Sequence, residues 1–252
     1  MFAIERKQYI IELLYKNKRV LVSDLSRALN VTEETIRRDL KELEKTGLVV
    51  RSHGGAVISD TRNDNTSFIG RENTNSVPKN KIGRIVADLI ENNMFLMIDT
   101  STTSKAVINQ LKNKRNITIL TNSYRLINDL SYNENIHFIG TGGDVLAHYQ
   151  AFVGSDTLKT IGRYHADLAI LGAHAISPEF GFMESNVEEC DVKIAMVSHC
   201  KKNIIVADHS KFNQISKVMF LSFRETDMLV TDRMPEPKWT EIFNRHNIAL
   251  RC

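Results

Sequence analysis

The sequence predicts an α/β protein in two parts. A small N-terminal unit of three helices and a β-hairpin comes first, then a larger domain on a mostly parallel sheet with helices on both faces. Three observations predict this. Residues 3–58 run helix, short helix, tight connection, helix, hairpin. Residues 59–80 are poor in large apolar side chains and rich in Asn, Ser and Thr, as a linker or surface-laid connection is. From Lys79 onward, short apolar runs alternate with amphipathic helical stretches, the pattern of parallel strands and crossover helices.

The first helix spans residues 3–16, with Ile4, Ile10, Ile11, Leu13 and Leu14 as its apolar set. Ser23 reads as the cap of a second helix, Asp24–Leu29, and Asn30-Val31 as the tight connection to a third. Thr32 caps that third helix, and Glu33 and Glu34 place negative charge at the positive end of its dipole. Ile36, Leu40 and Leu43 share one face, while Thr35, Arg37, Arg38, Lys41 and Lys45 lie off it. Gly47 is placed to stop the helix. Leu48–Arg51 then reads as a short strand, Gly54-Gly55 as a tight turn and Ala56–Ile58 as the return strand.

This order is that of a winged helix-turn-helix. TIRRDL at Thr35–Leu40, followed by Leu43, Gly47, Arg51 and His53-Gly54-Gly55-Ala56, resembles the N-terminal signature of the DeoR-type bacterial repressors. Ile10, Leu14, Leu25, Leu29 and Val31 belong to the same pattern. The resemblance implies binding to a double-stranded DNA operator as a dimer or higher oligomer. The residues expected at the DNA are Ser23, Thr32, Glu34, Thr35, Arg37, Arg38, Lys41, Arg51, His53 and Gly54. Of Arg37 and Arg38, one would read guanine in the major groove and the other hold a phosphate.

Composition sets outer bounds. The 252 residues are 42% hydrophobic and 25% charged, with a net charge of +3. Residues 1–62 hold 12 Lys/Arg against 9 Asp/Glu, and the remainder holds 21 of each, so the excess lies in the N-terminal part. Cys190, Cys200 and Cys252 form no Cys-x-x-Cys pair and no His/Cys cluster, which predicts reduced thiols and no metal site. No signal peptide and no apolar run of bilayer-spanning length is apparent, so a cytoplasmic protein with no membrane partner is expected.

In the second part, Lys81–Glu91 is an amphipathic helix with Ile82, Ile85, Val86, Leu89 and Ile90 inward. Phe95–Ile98, Ile117–Leu120, Ile136–Ile139, Leu168–Leu171, Ile204–Ala207 and Met228–Val230 read as buried strands. Thr103–Leu111, Tyr124–Leu130 and stretches near 187–199 and 238–245 read as helices, and Ile248–Leu250 as a final edge strand. The domains are then 1–58, a linker over 59–78 with Phe68 and Ile69 pinned to the second domain, and 79–252.

Ligands of open α/β sheets bind beyond the carboxyl ends of the strands. The residues there are small and polar: Asp99-Thr100-Ser101-Thr102-Thr103, Thr121-Asn122-Ser123, Gly140-Thr141-Gly142-Gly143, Gly172-Ala173-His174 and Asp208-His209-Ser210-Lys211. Together they predict a pocket for an anionic, hydroxyl-rich small molecule.

The family resemblance extends through this region and covers nearly the whole chain. Asp99, Ser101-Thr102-Thr103, Thr121-Asn122-Ser123, Gly142-Gly143, Gly154, Asp167, Leu171-Gly172, Glu189, Lys193 and Asp208–Phe212 match the family's sensor domain, which is similar in fold to ribose-phosphate isomerases. It implies a phosphorylated sugar effector and no cofactor. Ser101 stands where Gly is common in the family, which narrows the phosphate loop, and His148 lies where a basic residue is frequent. Under this reading Ser101, Thr102, Thr103, Asn122 and the Gly142-Gly143 backbone hold phosphate and nearby hydroxyls. Lys211 counters the phosphate or pairs with Asp208, and Asp99, Asp208 and Glu189 accept from sugar hydroxyls. Lys193, one helical turn from Glu189, holds it in place. Thr121, Ser123 and Gly172 complete the expected site. The alternative is a sugar-phosphate isomerase with a DNA-binding appendage, using Asp208, Glu189 and Lys211 as acid/base groups. No nucleophile–base pair is fixed by the residues, so no catalytic residue is assigned.

Overall fold

The computed structural model describes residues 2–17, 19–45, 49–52, 54–58 and 68–252. Gly47, Leu48, His53 and residues 59–67 of the expected linker lie outside the described residues. The chain divides into two compact units, Met1–Thr74 and Asn75–Cys252.

The first unit contains helix α1 (Ala3–Asn17), strand β1 (Arg19–Leu21), helices α2 (Val22–Leu29) and α3 (Glu33–Lys45), strands β2 (Val49–Ser52) and β3 (Gly55–Ile58), and helix α4 (Phe68–Asn73). Ile10 and Leu14 of α1, Leu25 of α2 and Ile36, Leu40 and Leu43 of α3 make its core, with Val20, Val49 and Ala56 from the strands. Each of the Ile, Leu and Val side chains gains about 1.5–3 kcal/mol on leaving water. Asn30, in the left-handed conformation at φ 50, turns α2 into α3.

Two expectations change here. The helix α2 starts at Val22, one residue ahead of Ser23, and its cap is Leu21 with no side-chain hydrogen bond. The Val22 N–H instead donates to the Gly54 carbonyl at 2.9 Å. Residues 19–21 also form a strand, so the wing is a three-stranded antiparallel sheet in the order β1-β3-β2. A Cβ on Gly55 would lie 2.1 Å from the Val20 carbonyl oxygen, so β1 approaches β3 as closely as it does only against glycine.

The expected linker is helical where it is described. Phe68 is buried in α4, which lies against α1 within the first unit, whereas the sequence suggested a contact with the second domain. In the second unit, helix α5 (Ser76–Leu89) begins before Lys79, and Pro78 falls in its first turn, where a missing N–H costs nothing.

The second unit continues with β4 (Phe95–Ile98), α6 (Thr102–Ile108), β5 (Ile117–Thr121), α7 (Tyr124–Leu130) and β6 (Ile136–Gly140). The hairpin strands β7 (Asp144–Leu146) and β8 (Ala151–Val153), helix α8 (Ser155–Ile161) and strand β9 (Ala166–Gly172) follow. Then come β10 (Ala175–Ser177), β11 (Gly181–Glu184), α9 (Val187–Ser198), β12 (Cys200–Val206), β13 (Val218–Leu221), β14 (Met228–Val230), α10 (Pro237–Arg245) and β15 (Ala249–Arg251). The main sheet has seven strands, all parallel, in the order β15-β14-β12-β9-β4-β5-β6.

Its central strands are buried on both faces, as their unbroken apolar runs require. Leu96 and Ile98 of β4, Leu168 and Ile170 of β9 and Ile204 and Val206 of β12 pack with Ile82, Val86 and Val107. Met97, Ala169, Leu171 and Ile205 face the other way and pack with Val192, Met196, Trp239 and Phe243. The chain runs outward from β4 to β6, then returns to β9 and continues the other way, so the order reverses between β4 and β9.

Candidate effector site and nucleic-acid interface

The outer face of α3 carries Glu34, Arg37, Arg38 and Lys41, all exposed, with Thr35 half-buried. Thr32 Oγ1 accepts from the Thr35 N–H at 3.3 Å, the expected cap. Arg37 is held by Glu33 at 2.5 Å, whereas Arg38 makes no hydrogen bond or ion pair among the described residues. Arg51 is drawn to Glu44, with Nε at 2.7 Å and its backbone N–H at 3.1 Å. Ser23 is exposed in the first turn of α2, and Gly54 forms the turn of the wing at φ +83.

Sequence reasoning missed the group that orients α3. Asp39 is 3% exposed, and the Arg6 guanidinium reaches it as a fork, Nε–Oδ2 2.5 Å and Nη2–Oδ1 3.2 Å. A bidentate pair of this kind fixes orientation as well as adding energy. The signal was present: a carboxylate next to Leu40 on the buried side of a helix needs a cationic partner.

In the second unit, the strand order reverses between β4 and β9, and the loops after these two strands meet. The Asp99 carboxylate, fully buried, accepts from the Gly172 N–H at 2.8 Å, the Ser101 N–H at 3.1 Å and the Ser104 hydroxyl at 2.7 Å. Ser101 Oγ caps α6 by accepting from the Ser104 N–H at 3.0 Å. Lys193, 2% exposed, contacts the Glu184 carboxylate, donates to the Gly172 carbonyl at 2.7 Å and lies 3.2 Å from Asp99. Glu189 stands beside this group, accepting from Thr100 Oγ1 at 2.9 Å and from Asn122 Nδ2 at 3.1 Å.

The electrostatics follow from the count of charges. One ammonium serves two carboxylates, and a third ionised carboxylate would be in excess. Burial, reinforced by Glu184 and Asp99, raises the Glu189 carboxyl to about 7. Burial would also raise Glu184, but Lys193 overrides it and holds that group at about 2. Lys193 is therefore not the holder of Glu189 expected from their spacing. Its direct partners are Glu184 and Asp99, brought to it by β11 and β4. With its bonds in place, Asp99 organises the loop and has no oxygen left over for a sugar hydroxyl.

The other strand ends divide by position. Asn122 and Thr141 follow the paired residues Thr121 and Gly140, so they sit side by side past β5 and β6. Asn122 Oδ1 and Thr141 Oγ1 are buried without a hydrogen-bond partner among the described residues. Thr121 Oγ1 accepts from the Ser123 N–H, and Ser123 Oγ caps α7. Thr102 and Thr103 are buried in the first turn of α6. The Gly142 carbonyl accepts from Thr157 Oγ1 at 2.6 Å beside Gly143, and His148 is exposed between β7 and β8.

Asp208 and Lys211 lie apart from this group. The ends of β12 and β5 are separated by β9 and β4, about 14 Å at the usual strand spacing. Asp208, 1% exposed, accepts through Oδ1 from Ser210 and, at 3.0 Å, from Asn75 Nδ2, while its Oδ2 has no partner. Burial would raise its carboxyl, and Ser210 and Lys211 bring it below the usual range instead. Lys211 makes no side-chain ion pair with it. A cavity of about 280 Å³ opens on this side of the sheet, beside Trp239 and away from the Asp99–Lys193 centre.

Among the described residues, no group of three or more His, Cys, Asp or Glu is placed to hold a metal ion. Cys190, Cys200 and Cys252 are free thiols. No helix among the described residues is long and apolar enough to cross a membrane.

Residues 6–62 match the family model of the DeoR-like helix-turn-helix domain, and residues 74–233 match that of the DeoR C terminal sensor domain. The HTH-type transcriptional repressor GlcR of Bacillus subtilis is 33% identical over 250 residues, spanning 99% of this chain and 96% of its own. The glycerol-3-phosphate regulon repressor of Escherichia coli is 32% identical over 246 residues, spanning 98% and 97%. Among solved structures, ribose 5-phosphate isomerase A of Methanocaldococcus jannaschii aligns over 55% of each chain at 16% identity, with a TM-score of 0.40.

Proposed function

The chain belongs to the DeoR family, and we propose on that premise that its effector is a phosphorylated sugar or close relative bound on the rim of the sheet beyond the ends of β4, β5 and β6. The chain is a DNA-binding transcriptional regulator. The promoter it acts on, in this reading, belongs to a carbohydrate-metabolism operon, and its action there is repression, in the cytoplasm, as a dimer or higher oligomer.

One observation carries the effector reading. Asn122 Oδ1 and Thr141 Oγ1 are buried, adjacent and without partners on the rim of the sheet. A buried acceptor left without a donor costs about 1–3 kcal/mol, and sugar hydroxyls supply donors. Ser101, Thr102 and Thr103 form the adjoining loop for the phosphate, next to the hydroxyls and backbone N–H groups that lead into α6. Glu189, already bonded to Asn122 and Thr100, would sense how that rim is occupied. The ligand acts only through a difference in affinity between DNA-competent and incompetent states.

The test is fluorescence anisotropy on DNA from the protein's own upstream region, at fixed salt because phosphate contacts make affinity steeply salt-dependent. Sugar phosphates are added one at a time. One phosphosugar is expected to change the affinity while its unphosphorylated parent does not. DNA binding that no phosphosugar alters would overturn the effector assignment and leave the DNA-binding role standing.

A further inference from the structure

We propose that the cavity beside the β12 and β14 ends, lined by His209, Phe212, Arg233, Met234, Pro235 and Trp239, is a second binding site for a small organic anion with a planar or apolar body. It is separate from the β4–β9 centre, because β12 lies beyond β9 and β14 beyond that.

Two polar groups are left open there. Trp239 is fully buried and lines the cavity, yet its indole Nε1 has no hydrogen-bond partner among the described residues. The ring is wedged edge-on against Phe212, 5.1 Å between centroids, and stacked on Phe243 at 5.7 Å, so it cannot swing to find one. A buried indole N–H is usually bonded, and an acceptor oxygen brought in by a ligand removes the deficit. Arg233 is exposed on the cavity and makes no ion pair or hydrogen bond among the described residues.

The neighbouring polar side chains already have partners. His209 is engaged by Asp232, Nδ1 to Oδ2 2.8 Å, and Glu236 by Lys238 at 3.0 Å. The free cation therefore decides the sign of the ligand. Phe212, Met234 and Pro235 supply apolar walls, and 280 Å³ is near the lower end of the roughly 300–1,000 Å³ typical of small-molecule sites.

Trp239 is the sole tryptophan of the chain, so its fluorescence reports this site alone in the full-length protein. Phenyl phosphate is the probe, with phenol and inorganic phosphate as its separate halves. Phenyl phosphate is expected to change the emission saturably at millimolar concentration or below, and each half to bind at least about tenfold more weakly. Arg233→Ala, a change at an exposed position, is expected to weaken phenyl phosphate by about tenfold, the scale of one charge-assisted contact. Arg245→Ala, at the other end of α10, should leave it unchanged. No saturable response overturns the proposal, as does a response that survives Arg233→Ala. Equal binding of inorganic phosphate would show an adventitious ion only, and would also overturn it.

Discussion

A Cβ built on Gly172 would lie 2.3 Å from the Cβ of Ser101. The two residues close the β4–β9 junction together, each filling the room that the other leaves. Ser101 brings a side chain to this junction, and Gly172, with no Cβ, is the side of the junction that leaves room for it.

Gly172→Ala is therefore expected to destabilise the protein by about 1–3 kcal/mol, the usual cost of overpacking. In Ser101→Gly the same alanine should cost less than half as much. Urea unfolding of the four proteins in a double-mutant cycle measures the coupling. A coupling near zero would mean that the clash is relieved by backbone movement.

Lys193 and Glu189 should behave oppositely although they are one turn apart. Lys193→Met leaves Asp99 and Glu184 buried without their cation, and is expected to cost about 3–5 kcal/mol. Glu189→Gln at neutral pH should cost little, because the carboxyl already titrates near 7. The sign follows from the raised value. A carboxyl at about 4.5 in the unfolded chain and about 7 in the fold contributes fully below pH 4.5, and that contribution is lost as pH rises through 7. Urea denaturation at pH 5 and pH 8 should show Glu189→Gln gaining on the wild type at the higher pH, by a few kcal/mol at most.

Arg37 and Arg38 are neighbours with different commitments. Arg38, on the exposed face of α3, has no partner among the described residues, and Arg37 sits on Glu33. Arg38→Ala should reduce operator affinity by about 10–100-fold and relax preference at one base pair, as loss of a base contact does. Arg37→Ala should weaken all sequences alike and lower the salt slope by about one. Anisotropy on operator and scrambled DNA across a salt series separates the two patterns, and a reversal would assign the base contact to Arg37.

Asn75, the first residue of the second unit, donates to Asp208 Oδ1 at 3.0 Å and to Ser210 Oγ at 3.2 Å. This ties the start of the sensing unit to the loop after β12. Asn75→Ala should cost about 1–3 kcal/mol, for two hydrogen bonds lost at a backbone of φ 55 that suits Asn better than Ala, and leave operator binding without effector within about twofold. The change in affinity produced by the active phosphosugar should shrink. An undiminished effector response would remove this loop from the path between sensing and DNA release.

Residues that interact with near neighbours in the chain were legible from their order alone. The unbroken apolar runs Phe95–Ile98 and Leu168–Leu171 marked strands buried on both faces, and Ile36, Leu40 and Leu43 marked the inner face of α3, because short apolar runs and a period of 3.6 are local properties. The family motif pointed to the rim loops for the same reason, since each is a short contiguous run. What the chain order does not carry is which distant groups meet. The strand β1 exists only because β3 pairs with it, and Arg6 finds Asp39 33 positions away. Thr100 finds Glu189 89 positions away, and Asn122 finds it 67 away. Spacing suggested Lys193 for Glu189, whereas the fold brought Glu184 and Asp99 to Lys193 and left Glu189 to hold its proton near neutrality. Strand order likewise separated Asp208 and Lys211 from Asn122, because position along a parallel sheet is set by crossovers between distant segments.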